Sequence, residues 1–166
     1  VLAKLHAWME AGVWDELHRV LLEGLQGADA IDWSRAVVDS SSGERWEADK
    51  NRPQPDGPSA LGSKHHLIVD AQGIPLACKL TGANSHDVTQ LLPLVDAIPP
   101  LSGGKRGRPR SRPKRVQGDR AYHSEPHRKA LRKRGIQPVL ARRNTPHGSG
   151  LGVTRWVVER TFSWLH

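Results

Sequence analysis

Three acidic residues, far apart in the sequence, are the strongest candidates for chemistry. Asp39 closes the apolar run Val37-Val38, and Asp119 closes a second short apolar run. Glu159 lies in the last stretch of the chain, four residues after Arg155. Residues four apart share a face of a helix, so Arg155 and Glu159 are expected side by side. Two strand ends and one helix would each deliver one carboxylate, and such hard oxygen ligands suit a divalent metal ion.

This arrangement of acids predicts phosphodiester chemistry. Divalent cations held by carboxylates activate a water or hydroxyl and stabilise the leaving oxygen when a phosphodiester is cut. Asp39 and Asp119 are 80 residues apart, and Asp119 and Glu159 are 40 apart. These separations by themselves are weak evidence for a metal site. The hypothesis depends on the placement of each acid at the end of a predicted strand or on the final helix.

The apolar patterns predict the elements that must position these acids. An α/β fold is expected, in which a mixed five-stranded sheet with helices packed on it follows an N-terminal helical segment. Two units are predicted, an N-terminal helical segment with its connector over residues 1–34 and a catalytic domain over 35–166. In chain order the predicted elements are helical residues 2–27 interrupted at Gly12, a strand over 35–39, a hairpin of 65–70 and 74–80, a helix N-capped by Asp87, a strand over 115–118, a helix capped by Ser124 and running to Arg134, a strand over 136–141 and the final helix.

Two helical stripes are expected to be buried. The N-terminal stripe is predicted to have a packing role, and its members are Leu5, Trp8, Val13, Trp14, Leu17, Val20, Leu21 and Leu25. In the final helix, Val158, Phe162 and Leu165 recur at helical spacing, with Trp156 near the same stripe. Asp70, at the hairpin turn, is interpreted as a turn former rather than a ligand.

Two segments carry no periodic pattern. Residues 40–63 form a loop rich in Gly, Pro and Ser, and residues 101–115 form a basic linker with seven cations in its last eleven residues. No packed structure is expected in that linker. A loop longer than about a dozen residues in a compact domain is usually functional or disordered.

The charge is distributed very unevenly along the chain. Residues 1–100 hold 8 Lys/Arg against 14 Asp/Glu, whereas residues 101–166 hold 17 Lys/Arg and 3 Asp/Glu. Such polarity predicts a polyanionic partner on the C-terminal side, although a solvated basic surface would look the same. The sequence contains no apolar run long enough for a membrane span, and the single Cys78 suits a reducing compartment. A cytoplasmic protein without a membrane partner is therefore expected.

Several short motifs, in order along nearly the whole chain, resemble those of the insertion-sequence DDE transposases of bacteria. They are Gly12-Val13-Trp14, Val37-Val38-Asp39-Ser40-Ser41, residues 62–70, Gly73-Ile74-Pro75-Leu76, Ala83-Asn84-Ser85-His86-Asp87, residues 118–122 and residues 155–165. The resemblance implies a ribonuclease H-like catalytic fold that cuts and joins DNA at inverted repeats. It implies that Asp39, Asp119 and Glu159 bind Mg²⁺ or Mn²⁺, with two ions expected when DNA is bound. Arg155, His86, Asp87 and Tyr122 would support the site.

Two positions depart from the family pattern. Gly152 stands where the family often has Tyr, and His166 stands where it often has Lys or Arg. Family members also usually continue beyond this point and carry an N-terminal DNA-recognition region, so the sequence is interpreted as a truncated copy.

Double-stranded DNA, as inverted-repeat ends and as target, is the expected partner, with a homodimer in the DNA complex. The cations expected to contact its phosphates are Lys105, Arg106, Arg108, Arg110, Arg112 and Lys114 of the linker and Arg128, Lys129, Arg132 and Lys133 of the basic helix. Two alternatives to a transposase stay open: a DNA-binding remnant that has lost catalysis, and a ribonuclease H-like nuclease that does not join strands.

Overall fold

The computed structural model describes residues 2–42, 62–142 and 152–165. Most of the predicted loop at 40–63, and residue His166, lie outside this part of the chain. The helices are α1 (Leu2–Glu10), α2 (Val13–Gly27), α3 (Asp87–Asp96), α4 (Glu125–Lys133) and α5 (Gly152–Leu165), with a 3₁₀ turn at Arg120–Tyr122. The strands are β1 (Ala36–Ser42), β2 (Ser63–Asp70), β3 (Pro75–Gly82), β4 (Arg115–Gly118) and β5 (Gln137–Leu140).

The five strands form one mixed sheet in the order β3-β2-β1-β4-β5. β1 pairs antiparallel with β2 and parallel with β4, while β4 pairs parallel with β5. The meander of three strands followed by two parallel strands, each reached through a helix, is the predicted α/β arrangement, and the ribonuclease H-like fold class is confirmed. The predicted element order is also confirmed.

The predicted end of the first strand at Asp39 is wrong. β1 continues to Ser42 because the antiparallel ladder with β2 continues to the pair Ser42 and Lys64. Asp39 therefore lies inside a strand, although β4 runs beside only the first part of β1, where its register begins at Ala36. The acids were expected at the edge of the sheet where β4 ends. Beyond that point β1 pairs with β2 and no longer with β4.

Side chains alternate across β1 and bury two separate cores. Ala36 and Val38 face the larger core, which also contains apolar residues of α2, α3 and α4. Val37 faces the opposite core, where Leu67 and Val69 of β2 meet Val157, Val158 and Phe162 of α5. Because alternate residues of a strand share a face, Asp39 lies on the α5 side and Ser40 on the α3 side.

The N-terminal helices do not bury the stripe expected from their pattern. α2 contacts the rest of the protein through Leu22, Gln26 and Glu23, which occupy its other face. The predicted stripe is instead largely exposed, at Leu5, Trp8, Val13, Trp14, Leu17, Val20 and Leu21. Leu25 alone of the stripe is packed against the core. The period of the pattern correctly predicted helices, but amphipathic spacing does not say which face packs against the rest of the protein.

The basic linker is ordered, contrary to the prediction. Leu101 and Arg110 form a two-way backbone bridge, with N···O distances of 2.7 and 2.8 Å. The Glu23 carboxylate of α2 accepts hydrogen bonds from the backbone amides of Ser102 and Gly103, which lowers the Glu23 pKa. Gly103 has a positive φ of 58°, and an added Cβ would lie 2.5 Å from the backbone nitrogen of Gly27. Backbone contacts, which residue composition does not reveal, hold this polar segment on α2.

None of the helices within the described residues is both long and apolar enough to cross a membrane.

Candidate active site

Four elements bring the predicted acids to one place. The Asp39 side chain projects from β1 on the side of the sheet that α5 covers. Asp119 follows directly after β4, the parallel neighbour of β1. Glu159 and Arg155 lie one turn apart on α5. The fourth element is the 3₁₀ turn, which Asp119 opens by accepting a hydrogen bond from the Ala121 amide at 2.8 Å.

The Arg155 guanidinium lies among all three carboxylates. It donates a hydrogen bond from one terminal nitrogen to Asp39 Oδ2 at 2.9 Å. The same nitrogen is 3.8 Å from Glu159 Oε1, and the other terminal nitrogen is 3.9 Å from Asp119 Oδ2. One cation is thus shared by three acids from three different elements.

The polar groups around the site hold its parts in place. Asp39 Oδ1 accepts from the backbone amide of Ser40 at 2.9 Å. At the beginning of α5, Gln117 of β4 and Thr154 exchange side-chain hydrogen bonds of 2.8 and 3.0 Å. These bonds attach the helix that carries Arg155 to the strand that precedes Asp119.

Burial and nearby charges shift the pKa values of Asp39 and Arg155. Burial raises the pKa of Asp39, the Asp119 charge raises it further, and the hydrogen bond from Arg155 offsets part of this rise. Burial by itself would lower the pKa of Arg155, but its hydrogen bond to Asp39 and the three nearby carboxylates raise it overall. The side chain of Glu159 is 61% exposed, against 16% for Asp39. The site is therefore closed on the strand side and open toward solvent on the helix side.

The residues fit a divalent cation in their chemistry, and a cation already lies at their centre. Asp39, Asp119 and Glu159 supply the carboxylate oxygens that Mg²⁺ and Mn²⁺ prefer. Within the described parts of the chain, however, no three His, Cys, Asp or Glu side chains are close enough together to form a metal site. The Arg155 guanidinium lies between the acids, so direct chelation of an ion requires this side chain to move.

A second polar cluster lies on the opposite face of β1. The Asp87 carboxylate accepts hydrogen bonds from Ser40 Oγ at 2.7 Å and from Lys64 Nζ at 3.1 Å. The fully buried His66 lies 3.9 Å from the same Asp87 oxygen and hydrogen-bonds Thr81 at 2.8 Å. Burial lowers the pKa of His66, with the Asp87 charge opposing that shift.

Tyr122 and Asp87, which the resemblance marked as supporting residues, both lie close to this polar cluster. Tyr122 is fully buried, and its pKa is raised first by burial and then by the charges of Asp87, Asp39 and Asp119. The predicted N-cap role of Asp87 is wrong, because His86 occupies the cap position and Asp87 is the first residue of α3. Its carboxylate is engaged by Ser40 and Lys64 instead. His86 is exposed and accepts a hydrogen bond from Thr89 through its backbone carbonyl.

Sequence reasoning did not single out Ser40, Lys64 and His66. A usable pattern was present, because Lys64, His66 and Ile68 alternate along one strand and so share its face. Two ionisable side chains in line with a core isoleucine require polar partners. Asp70, in contrast, is the predicted turn former: its buried carboxylate accepts from the backbone amides of Gln72 and Ile74.

The predicted DNA contacts divide into two groups. Arg128 is 6% exposed and donates a hydrogen bond to the carbonyl oxygen of Leu140, so its assignment as a phosphate contact is wrong. Lys105 is exposed but forms an ion pair with Asp29 at 2.5 Å. Arg132 is also exposed and pairs with Glu125 at 3.3 Å. The other predicted cations are exposed: Arg106, Arg108, Arg110, Arg112, Lys114, Lys129 and Lys133.

The final helix buries fewer aromatic side chains than expected. Val158 and Phe162 are buried as predicted, together with Val157 and Thr161. Trp156 is half exposed, because it lies with Trp164 on the outer side, where the Arg160 guanidinium stacks on both rings. The side chain of Leu165 lies outside the described residues.

A mixed five-stranded sheet, with acids from β1, the end of β4 and α5 around a single cation, defines a ribonuclease H-like protein with an acidic site. The family model described as the transposase DDE domain matches residues 28–166. The chain belongs to that family, whose members generally use divalent metal ions.

Two relatives agree with this assignment. The chain is 59% identical over 132 residues to the putative transposase for insertion sequence element IS402 of Burkholderia cepacia, covering 80% of this chain and 61% of that protein. It is 30% identical over 116 residues to the transposase for insertion sequence element IS1106 of Neisseria meningitidis serogroup B, covering 64% of this chain and 36% of that protein. The chain therefore spans less than two thirds of the length of these relatives.

Among solved structures, similarity extends to a simian T-cell lymphotropic virus intasome, with a TM-score of 0.48, 15% identity, and coverage of 80% of this chain and 38% of that one. It also extends to the Mos1 strand transfer complex, with a TM-score of 0.41, 12% identity, and coverage of 89% and 50%.

Proposed function

We propose that this chain carries the catalytic site of a DNA transposase, which cuts a DNA strand at the end of an insertion sequence and transfers that end to a target. The observation that supports this most is the single Arg155 guanidinium within 3.9 Å of Asp39, Asp119 and Glu159. Three acids gathered around one positive charge form a place where a cation is required.

In this proposal Asp39, Asp119 and Glu159 hold divalent ions, Mg²⁺ or Mn²⁺. Bound there, the ions would supply Lewis-acid activation of the attacking oxygen and stabilisation of the leaving oxygen. Asp39 and Asp119 belong to the rigid side of the site, because a strand and a capped turn fix their positions. Glu159, on a more exposed helix face, would complete the ligand set.

The remaining residues bind and orient the substrate in this proposal. Arg155 would contact a backbone phosphate, since guanidinium and phosphate form paired, charge-assisted hydrogen bonds. Asp87, with Tyr122 near it, would keep the strand that carries Asp39 in place. The exposed cations of the linker and α4 would hold the DNA backbone without reading its sequence. The Mos1 structure that resembles this chain is a strand transfer complex, which is consistent with this assignment.

The test is metal-dependent nicking of supercoiled DNA. We expect nicking in Mn²⁺ that disappears in Asp39→Asn, Asp119→Asn and Glu159→Gln, each of which removes one carboxylate charge. Asp96→Asn is the matched control, because Asp96 is exposed and forms an ion pair with Arg134 at the α3–α4 contact. Nicking that survives all three site substitutions would refute the proposed site.

The same assay separates the two alternatives. A nuclease that does not join strands would nick DNA but leave a labelled end with a free 3′-hydroxyl unjoined to a target plasmid. A DNA-binding remnant would retain salt-dependent DNA binding with no Mn²⁺-dependent nicking in any variant.

A further inference from the structure

Arg155 holds the position that a metal ion would need. Its terminal nitrogens face Asp39, Asp119 and Glu159, and its side chain is 24% exposed. Its Nε atom is buried without a hydrogen-bond partner among the described residues. In the described part of the chain, the guanidinium contacts the three carboxylates at its outer end.

A guanidinium and a divalent ion cannot both occupy this position. Asp39 Oδ2 lies 2.9 Å from an Arg155 nitrogen, whereas Mg²⁺ binds an oxygen at about 2.1 Å. An ion at that oxygen would approach the guanidinium closely, and the two positive charges would repel each other in a partly buried site. Metal binding thus requires Arg155 to turn away from Asp39.

A phosphate gives the displaced guanidinium a new partner. Arg binds phosphate through two parallel hydrogen bonds, a geometry as favourable as its pairing with a carboxylate. A DNA backbone entering beside α5 would then draw Arg155 off the acids and leave three unpaired carboxylates, which favour a metal ion.

We propose that Arg155 is a substitute cation in the free protein, so that DNA phosphate and divalent metal bind cooperatively. Arg155 offsets part of the negative charge of the acids until DNA arrives, and the site admits its ions when substrate is present to be cut. This inference rests on the proposed function, namely that these three acids bind the metal. Coupling between two ligands is reciprocal, so metal should tighten DNA binding by the same factor by which DNA tightens metal binding.

The experiment measures Mn²⁺ binding by titration calorimetry and by the electron paramagnetic resonance signal of free Mn²⁺. In the free protein, Arg155→Gln should bind Mn²⁺ about tenfold more tightly than wild type, within the roughly 5- to 150-fold range of coupled sites. Arg155→Lys retains the positive charge and should fall between the two. Arg19→Gln, which removes a guanidinium paired with Glu16 on α2, is the control and should match wild type.

Adding a short duplex DNA gives the second half of the test. In wild type the duplex should raise Mn²⁺ affinity, and in Arg155→Gln most of that increase should be absent, because the competing cation has already been removed. A metal affinity that is unchanged or weaker in Arg155→Gln, in a protein whose circular dichroism matches wild type, overturns the inference.

A third substitution distinguishes the two possible failures. Mn²⁺ binding that is lost in Asp119→Asn but insensitive to Arg155→Gln removes only the cooperative role of Arg155. Binding that is indifferent to Asp119→Asn, or absent from both wild type and Arg155→Gln, removes the proposed metal site itself and this inference with it.

Discussion

Arg128 and Lys129, adjacent on α4, provide a direct test of how the basic helix works. Arg128 is buried, donates a hydrogen bond to the carbonyl oxygen of Leu140 at 2.5 Å, and lies 3.8 Å from Glu125. Burial lowers its pKa, and the Glu125 charge opposes that shift. Arg128→Met keeps an apolar stem but leaves the Leu140 carbonyl in the protein interior without its charged donor.

The expected loss follows from that one bond. A hydrogen bond to a charged group contributes about 1.5–3 kcal/mol to the free energy of unfolding. At roughly 2–4 °C per kcal/mol for a chain of this size, the melting temperature of Arg128→Met should fall by about 3–12 °C. Lys129→Met, on the exposed side, should change the free energy of unfolding by less than about 0.5 kcal/mol.

Thermal unfolding followed by circular dichroism measures the first effect, and DNA binding at several salt concentrations measures the second. Lys129→Met should reduce the slope of log affinity against log salt by about 0.9, the value for one lost phosphate contact, and Arg128→Met should leave that slope unchanged. A melting temperature of Arg128→Met within 1 °C of wild type would refute the structural role of this arginine. A reduced salt slope in the same variant would return Arg128 to the DNA interface.

Two further predictions concern other parts of the fold. Leu22→Ala should lower the free energy of unfolding by about 2–5 kcal/mol, because Leu22 is buried in the larger core. Leu21→Ala should lower it by under about 0.5 kcal/mol, because Leu21 is exposed. Urea unfolding measures both changes. Equal losses in the two variants would mean that the outer face of α2 is covered. The hydrogen bonds from Arg134 lower the pKa of Asp96 from its ordinary value of 3.8. The pair therefore stabilises the fold above that pH. This stabilisation is lost as the pH falls through the lowered pKa of the folded state. The stability difference between wild type and Asp96→Asn, at most about 1 kcal/mol for this half-exposed pair, should therefore shrink on acidification; a difference that grows would contradict the assigned ion pair.

The sequence predicted the elements well because each has a strong local pattern. The hairpin around Asp70, the two parallel strands and the final helix follow from apolar period and turn residues. The gathering of Asp39 and Asp119 was also expected, although the strand end predicted at Asp39 was wrong: Asp119 follows the end of β4, whereas Asp39 lies within β1. Arg155 and Glu159 needed only the four-residue spacing of a helix.

What the sequence did not predict depends on contacts between distant segments. The apolar side chains of α2 predict a helix, but only the tertiary contacts of Leu22 and Gln26 show that the opposite face packs on the core. In the sequence, Arg128 is one of several cations in a basic helix. Its burial depends on β5, whose Leu140 carbonyl accepts its hydrogen bond. The linker looked unstructured because its order comes from backbone hydrogen bonds to Glu23, an acid about 80 residues away.

The alternation of β1 explains how one short strand serves two polar environments. Asp39 points toward α5, where Arg155 and the solvent-facing Glu159 complete an open, acidic site. Ser40 points the other way, into a cluster where Asp87 is satisfied by a hydroxyl and by Lys64. A buried ion pair gives little net stability compared with apolar packing, so this cluster contributes mainly directed hydrogen bonds. Through Ser40, whose amide binds Asp39 and whose hydroxyl binds Asp87, those bonds fix the backbone at the point where the acidic site needs a rigid support.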